Sequence, residues 1–326
     1  MIISRTPYRI SFFGGGSDYP EWYNQFGGEV ISSTINKYLY ISCRDLPKFF
    51  NHKYRIVYSK IEEVKKITDI KHKVVRLALL KKKIKNNLEI HYDGDLPSRS
   101  GMGSSSSFVV GLLKALNEFD NIKSNKLSLA KESIDFEQKG LKESVGSQDQ
   151  VACSYGGFNF IKFKQDSTFK VFSLDKYQLF KNKLNKNLVL LFTGKQRTAE
   201  KITRRFIKKI NSTKKKEIKD ILSLVKVAKD LIIKSDHYAF GQLLDEGWNL
   251  KKKLDKKITN NFLDDIYKKA KLNGAIGGKI LGAGAGGFFL FYVPQDVKKN
   301  FLNKMNFLTE VPFLFENRGS QIIYKD

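Results

Sequence analysis

Cysteine is nearly absent from this 326-residue chain, which holds only Cys43 and Cys153. Two cysteines cannot build a disulfide framework, and neither stands at a metal-ligand spacing, so the sequence reads as a reduced, cytoplasmic chain. Both alternate with apolar neighbours and are expected to be small buried hydrophobes rather than reactive thiols. No stretch approaches the roughly 18 consecutive apolar residues that a membrane helix needs. The opening residues, Met1 to Phe13, lack the basic, apolar and small-residue order of a secretory signal and read as a first strand. No repeat of about 20–50 residues is visible, which argues against solenoids and propellers.

Acidic residues are also in short supply. There are 33 Asp and Glu against 59 Lys and Arg, a formal net charge of +26, and such an excess attracts phosphate-rich partners of any kind. The lysine triplets Lys81-Lys82-Lys83, Lys214-Lys215-Lys216 and Lys251-Lys252-Lys253 are scattered and carry no interleaved stacking aromatics. They read as solvated faces, which argues against nucleic acid as the partner. A basic nucleic-acid-binding protein stays as the non-enzyme alternative. The same field would concentrate small phosphate-bearing molecules without a dedicated patch.

What is present is the balance of a folded protein, 41% hydrophobic and 13% aromatic against 28% charged. The length suits two domains, and the change in pattern places their boundary near residue 175, giving 1–175 and 176–326. Two β-like stretches, Ile2 to Phe13 and Val30 to Cys43, flank Gly14-Gly15-Gly16-Ser17-Asp18. Helical spacing is expected over Ile61 to Ile67 and Val74 to Ile84, with a short strand Leu88 to Tyr92 after them. Phe108 to Phe119 and Leu127 to Lys139 are helical, and Gly140 stands where the second should stop. A hairpin is expected from Phe158 to Phe172. Beyond Leu188 to Phe192, four helical patterns precede the glycine-rich segment Gly274 to Gly287 and a strand at Phe288 to Val293.

The sharpest chemical signal is Pro97-Ser98-Arg99-Ser100-Gly101-Met102-Gly103-Ser104-Ser105-Ser106-Ser107, between a strand and an apolar helix. Glycines let a backbone approach an anion closely, and a helix start offers unpaired N–H groups with a favourable dipole. The spacing is not that of a Walker loop, since no lysine follows the second glycine. A flexible linker would not run straight into Phe108-Val109-Val110-Gly111-Leu112-Leu113, so phosphate binding is the better reading. Pro97, Ser100, Gly101, Met102, Gly103, Ser104, Ser105 and Ser106 are therefore the candidates for binding a phosphate group.

Pro-x-x-x-Gly-Met-Gly-Ser-Ser resembles the phosphate-binding signature of the GHMP kinases. Thr6 to Tyr19 is similar to that family's first motif and Gly282-Ala283-Gly284-Ala285-Gly286-Gly287 to its third, in the right order. The resemblance implies an α+β GHMP kinase two-domain fold, with an amino-terminal domain of ribosomal-protein type and a carboxy-terminal ferredoxin-like domain. It also implies ATP and Mg²⁺, with the site between the domains.

Phosphoryl transfer needs a carboxylate at the attacking hydroxyl and cations to gather phosphate charge. The resemblance assigns the first task to Asp149, with Arg9 beside it as the basic residue of the first motif. It assigns Mg²⁺ to Glu137, with Ser105 as the hydroxyl ligand, while Asp135 and Glu132 stand as rivals to Glu137. Gly15, Gly16, Ser17 and Asp18 are expected to meet the acceptor. On local sequence alone Asp18 reads equally well as an Asx turn, and for Asp149 a turn or cap residue is the alternative. Two glycines stand where galactokinases carry Glu-His, which argues against galactose and towards the bacterial D-glycero-D-manno-heptose 7-phosphate kinases or fucokinases. In Thr193-Gly194-Lys195-Gln196-Arg197-Thr198-Ala199, Arg197 is the candidate contact for a substrate phosphate. The acceptor is thus expected to be a sugar or sugar phosphate.

Overall fold

The computed structural model describes residues 1–84, 86–195 and 200–326. Its strands are β1 (Ile2–Phe13), β2 (Gly28–Asp45), β3 (Tyr54–Val57), β4 (Ile61–Val64), β5 (Leu88–Gly94), β6 (Phe158–Phe163), β7 (Phe169–Ser173), β8 (Leu188–Phe192), β9 (Gly277–Ile280), β10 (Phe288–Tyr292), β11 (Thr309–Glu310), β12 (Phe315–Glu316) and β13 (Gln321–Lys325). The helices are α1 (Pro20–Phe26), α2 (Lys73–Lys82), α3 (Ser104–Phe119), α4 (Lys126–Asp135), α5 (Gln148–Tyr155), α6 (Gln178–Asn187), α7 (Glu200–Ile207), α8 (Lys215–Ile233), α9 (His237–Leu254), α10 (Asn261–Leu272) and α11 (Gln295–Lys304). A π-helical turn, Phe136–Gly140, continues α4. The fold is α+β, as expected.

The first sheet grows around β1 and β2, which run antiparallel from the pair Ile2 and Cys43 to the pair Phe13 and Ile31. At 18 residues, β2 outruns any single partner on its other edge. β5 pairs with its second half and β6 with its first, and β12 fills the interval at Thr34 and Ile35. β13 closes the outer edge of β1 at Ile2 to Arg5. Past that point, the edge N–H of Arg9 turns to the carbonyl of Met102, 3.2 Å away. The expected division near residue 175 falls between β7 and α6, and β12 and β13 cross back from the chain end to the first sheet.

The helix expected over Ile61 to Ile67 is instead β4, paired antiparallel to β3, followed by a short 3₁₀ turn. The three-residue spacing of Ile61, Val64 and Ile67 imitates a helix, but Ile61 is exposed and Glu62 is buried. Glu62 is turned inward because its carboxylate accepts the N–H groups of Lys71 (2.5 Å) and His72 (3.0 Å) at the start of α2.

The second sheet has the order β11-β8-β10-β9. β10 is apolar without alternation because both its faces are covered. Phe288 and Leu290 enter the core that the first sheet uses, whereas Phe289 and Phe291 join Trp248 and Tyr267 on the far side. In the shared core the Phe12 ring meets Phe158 at 5.9 Å and Phe240 at 5.5 Å, and Phe180 stacks on Phe158. Rings from β1, β6, α6 and α9 thus weld the two halves together and hold the cleft between them in one geometry. Cys43 and Cys153 are free and buried, as expected, and burial pushes both thiols up to about 12. Among the described residues no helix is long and apolar enough to cross a membrane.

Thr34 ties the returning carboxy-terminal strand to the sheet. Its buried hydroxyl donates to Glu316 O at 2.7 Å and accepts the N–H of Gly157 at 2.8 Å. Thr34→Val keeps the shape and deletes both bonds, so unfolding free energy should fall by about 1–3 kcal/mol in urea titrations. An unchanged midpoint would show that these bonds contribute nothing.

Candidate active site

The phosphate loop leaves β5 at Gly94 and enters α3 at Ser104. Gly101 and Gly103 both hold left-handed φ angles, +87° and +77°, and no side chain caps the helix start. The first N–H groups of α3 therefore face outward without intrahelical acceptors, a ready anion site. Ser100 closes the turn by donating to Pro97 O at 2.6 Å, and Ser104 Oγ accepts the N–H of Arg99 at 3.2 Å. Those two serines are thus committed to the loop's shape in this state.

The third glycine segment packs backbone to backbone against this loop. A Cβ on Gly101 would stand 2.5 Å from Leu281 O, one on Gly282 2.5 Å from Gly101 Cα, and one on Gly287 2.1 Å from Ser100 O. No side chain fits at any of the three. The segment serves as a rigid wall, as the small residues suggested, and Phe288 N–H donates to Ser100 O at 3.2 Å to lock it.

Arg9 and Asp149 meet beside the loop. Arg9 Nε and Nη2 each donate to one Asp149 oxygen at 2.6 Å, and Nη1 donates to Gly101 O at 2.8 Å. This fork-to-fork pairing fixes the carboxylate plane. Arg9 is buried, whereas the Asp149 side chain retains 22% exposure and stays open to the cleft. Asp149 stands in the first turn of α5, where the helix dipole favours a negative charge.

Asp18 lies behind this pair. It accepts N–H groups from Gly16 at 2.9 Å and Gln148 at 3.3 Å. Gly146 is required there, since a Cβ would fall 2.0 Å from Asp18 Oδ2. Burial, with Asp149 adding repulsion, pushes the Asp18 carboxyl up to about 6. Ser17 is turned into the protein instead of the cleft. It donates to Gly14 O at 2.8 Å and accepts Glu29 N–H at 3.1 Å, pinning the loop to β2. Gly16 is covered by Phe206 and Ile218 from the second half, and Gly15 is half-buried.

Glu137, on the π-helical turn, is completely buried beneath α3. Such turns bulge one side chain out of helical phase and occur often at functional sites. Its Oε2 accepts from Ser106 Oγ at 2.8 Å and from the Gln150 amide. Its Oε1 has no hydrogen-bond partner among the described residues. Burial, with repulsion from Glu143 and Asp149, pushes it up to about 8. The rivals face elsewhere: Asp135 pairs with Lys139 on the surface and Glu132 with Lys82. Ser105, expected beside Glu137, is exposed, and Ser106 takes that place because the helical phase set at Gly103 turns it inward. Among the described residues no group of three His, Cys, Asp or Glu side chains is placed to hold a metal ion. An orphaned carboxylate oxygen beside a serine hydroxyl nevertheless fits a hard cation that keeps most of its waters.

Arg197 lies outside the described residues. Two lysines not expected from the sequence do reach the site. Lys279 Nζ donates to Phe12 O at 2.5 Å, and Lys251 Nζ donates to Ile280 O and Gly282 O at 2.8 and 2.5 Å. The available signal was a lone charge inside the apolar strand Gly277-Gly278-Lys279-Ile280-Leu281.

Burial, with Arg9 adding repulsion, pushes Lys279 down to about 7 from an ordinary 10.5. Between these values the unfolded chain holds a proton that the folded protein lacks. The stability contribution is full above the unfolded value and is lost as pH falls through the folded one. Lys279→Met should therefore gain stability relative to the parent as pH drops from about 10 to about 6, read as a widening gap between urea midpoints. A gap independent of pH would refute the depressed amine.

Residues 70–157 match the GHMP kinases N terminal domain and residues 228–308 the GHMP kinases C terminal domain. The chain is 29% identical over 314 residues to the D-glycero-alpha-D-manno-heptose 7-phosphate kinase of Campylobacter jejuni, covering 93% of each. Among solved structures it superposes on a D-glycero-D-manno-heptose 1-phosphate kinase from Bacteroides thetaiotaomicron with a TM-score of 0.82 and 25% identity, covering 100% of both chains. The mevalonate kinase of Methanococcus jannaschii shares the fold at a TM-score of 0.72 and 20% identity, over 99% of this chain and 98% of that one. With two family domains in order and the glycine wall seated on the phosphate loop, this chain belongs to the GHMP kinase family, whose members use ATP.

Proposed function

We propose that this sugar kinase transfers the γ-phosphate of ATP to the anomeric C1 hydroxyl of D-glycero-D-manno-heptose 7-phosphate, giving the 1,7-bisphosphate. The observation that carries the reading is the Arg9–Asp149 pair at the mouth of the phosphate loop, bonded at 2.6 Å through both carboxylate oxygens. Heptose phosphate appears in the names of both the Campylobacter relative and the Bacteroides structure, although the two names differ in where the phosphate stands. The half-buried Gly15 and the buried Asp18 are consistent with an acceptor richer in hydroxyls than galactose.

The phosphate loop and the N–H groups at the start of α3 would receive the nucleotide phosphates. Asp149, held in plane by Arg9, would accept a hydrogen bond from the acceptor hydroxyl and take its proton. The hydroxyl oxygen bonds to the γ-phosphorus as the bond to the β,γ-bridging oxygen breaks, and ADP leaves with that electron pair. Asp18 would orient neighbouring sugar hydroxyls. Ser106 and Glu137 are the residues we assign to Mg²⁺, which supplies charge neutralisation on the phosphates when bound. Arg197 is our candidate contact for the acceptor's phosphate. A cavity of about 330 Å³ is lined by Ser144, Arg204, Arg205, Ile207 and Lys208. We take 1–175 and 176–326 as the two family domains, with the last two strands lent back to the first.

Asp149→Asn preserves shape and removes charge, so kcat should fall by at least ~100-fold while ATP affinity changes little. Near-normal turnover would remove Asp149 from the mechanism.

A phosphate held by a charge-assisted contact is worth about 1.5–3 kcal/mol, so kcat/KM for the heptose 7-phosphate should exceed that for the plain heptose by at least ~10-fold. Arg197→Ala should narrow that ratio. Equal efficiency for the two sugars would leave a neutral-sugar 1-kinase of the fucokinase type.

A further inference from the structure

Two lysines of the carboxy-terminal half lie by the phosphate loop with no counter-ion among the described residues. Lys279 is 8% exposed and, among the described residues, bonds to Phe12 O alone, and Lys251 to Ile280 O and Gly282 O alone. Among the described residues no carboxylate pairs with either. Lys181 pairs with Asp175, Lys82 with Glu132 and Lys214 with Glu217, whereas Lys298, like these two, bonds to backbone carbonyls. Carbonyl oxygens solvate an ammonium but cancel none of its charge. An ammonium has three donors, so among the described residues Lys279 keeps two unused and Lys251 one.

The pair sits close to the reaction. Lys251 holds the carbonyl of Gly282, whose Cα abuts Gly101, and the Gly101 carbonyl takes Arg9 Nη1. Lys279 holds β1 at Phe12, three residues beyond Arg9. The three cations repel one another, and with burial this repulsion depresses both amines. Charging an amine there without a counter-ion carries a cost that depresses both amines, and hydrogen bonding to three carbonyls does not explain accepting that cost, because a neutral amide donor could make the same bonds. An arriving anion would offset it.

We propose that Lys279 and Lys251 form a cationic floor beneath the phosphate loop that stabilises the negative charge on the transferring phosphoryl group. The second half then supplies electrostatic catalysis as well as a wall of glycines. The proposal rests on the reading that the loop holds the phosphates of ATP. Charge placed in advance where it develops in the transition state acts on kcat more than on ground-state binding.

Lys279→Gln and Lys251→Gln retain an N–H donor and delete the charge, and Lys279→Arg restores it. Steady-state kinetics with ATP and the acceptor, thermal melting and calorimetric ATP binding are measured on all three and the parent. We expect each Gln variant to lose at least ~30-fold in kcat with ATP KM within ~3-fold and no loss of melting temperature, and Lys279→Arg to recover most of the rate. Gln variants that melt normally and turn over within ~3-fold of the parent would overturn the proposal and leave the lysines structural. A rise in ATP KM at constant kcat would also overturn it, in favour of ground-state nucleotide binding. Should Lys279→Gln fail to fold, the less buried Lys251→Gln decides between the same outcomes. Absence of ATP binding to the parent protein would instead sink the phosphate-loop reading itself.

Discussion

Everything at the site converges on the Arg9 guanidinium. Two of its N–H groups hold both oxygens of Asp149 and a third holds Gly101 O, while its backbone N–H holds Met102 O. One residue of the first strand therefore sets the position of the first turn of α5 and of the phosphate loop. Planar, bidentate geometry is what Arg offers and Lys does not. The N–H of Arg9 is free for this task because β13 covers the edge of β1 only from Ile2 to Arg5. The returning carboxy-terminal strand thus bounds the segment of β1 that the loop can use.

The second constraint is steric. At Gly101, Gly282 and Gly287 two backbones touch without intervening side chains, so the loop is pressed between α3 and the glycine segment of the second half. The shared aromatic core around Phe12, Phe158 and Phe240 keeps that contact in register. A kinase that relies on positioning and charge, with little covalent chemistry of its own, depends on such rigidity.

Electrostatically, the site gathers the carboxyls of Asp18, Glu137 and Asp149 and the cations of Arg9, Lys251 and Lys279 within a largely dry interior. Asp149 and Arg9 form an ion pair, and burial shifts Asp18, Glu137, Lys251 and Lys279 from their ordinary values. Asp18 and Glu137 rise and the lysines fall, so the unliganded site holds less net charge than its residues could carry. The +26 of the whole chain is a separate matter: it serves as a general field for anionic small molecules.

The amino-acid sequence by itself determined the elements with strong local signals. The glycine and serine loop before an apolar helix, the strand-loop-strand opening and the fully apolar β10 are legible because backbone freedom and periodicity are properties of neighbouring residues. Arg9, Asp149 and Glu137 were legible only through family resemblance, and the structure brings the first two into direct contact. Which serine meets Glu137, the inward turn of Glu62, the commitment of Ser17 to the backbone and the return of β12 and β13 were decided by tertiary structure. So were the buried lysines, whose local sequence reads as one more charge on a basic chain. Each depends on atoms far apart in sequence: Ser106 and Glu137 are separated by 31 residues, and Lys279 and Phe12 by 267. Local pattern carries no record of such pairings, because burial, which gives them their energy, exists only once the two halves have closed on each other.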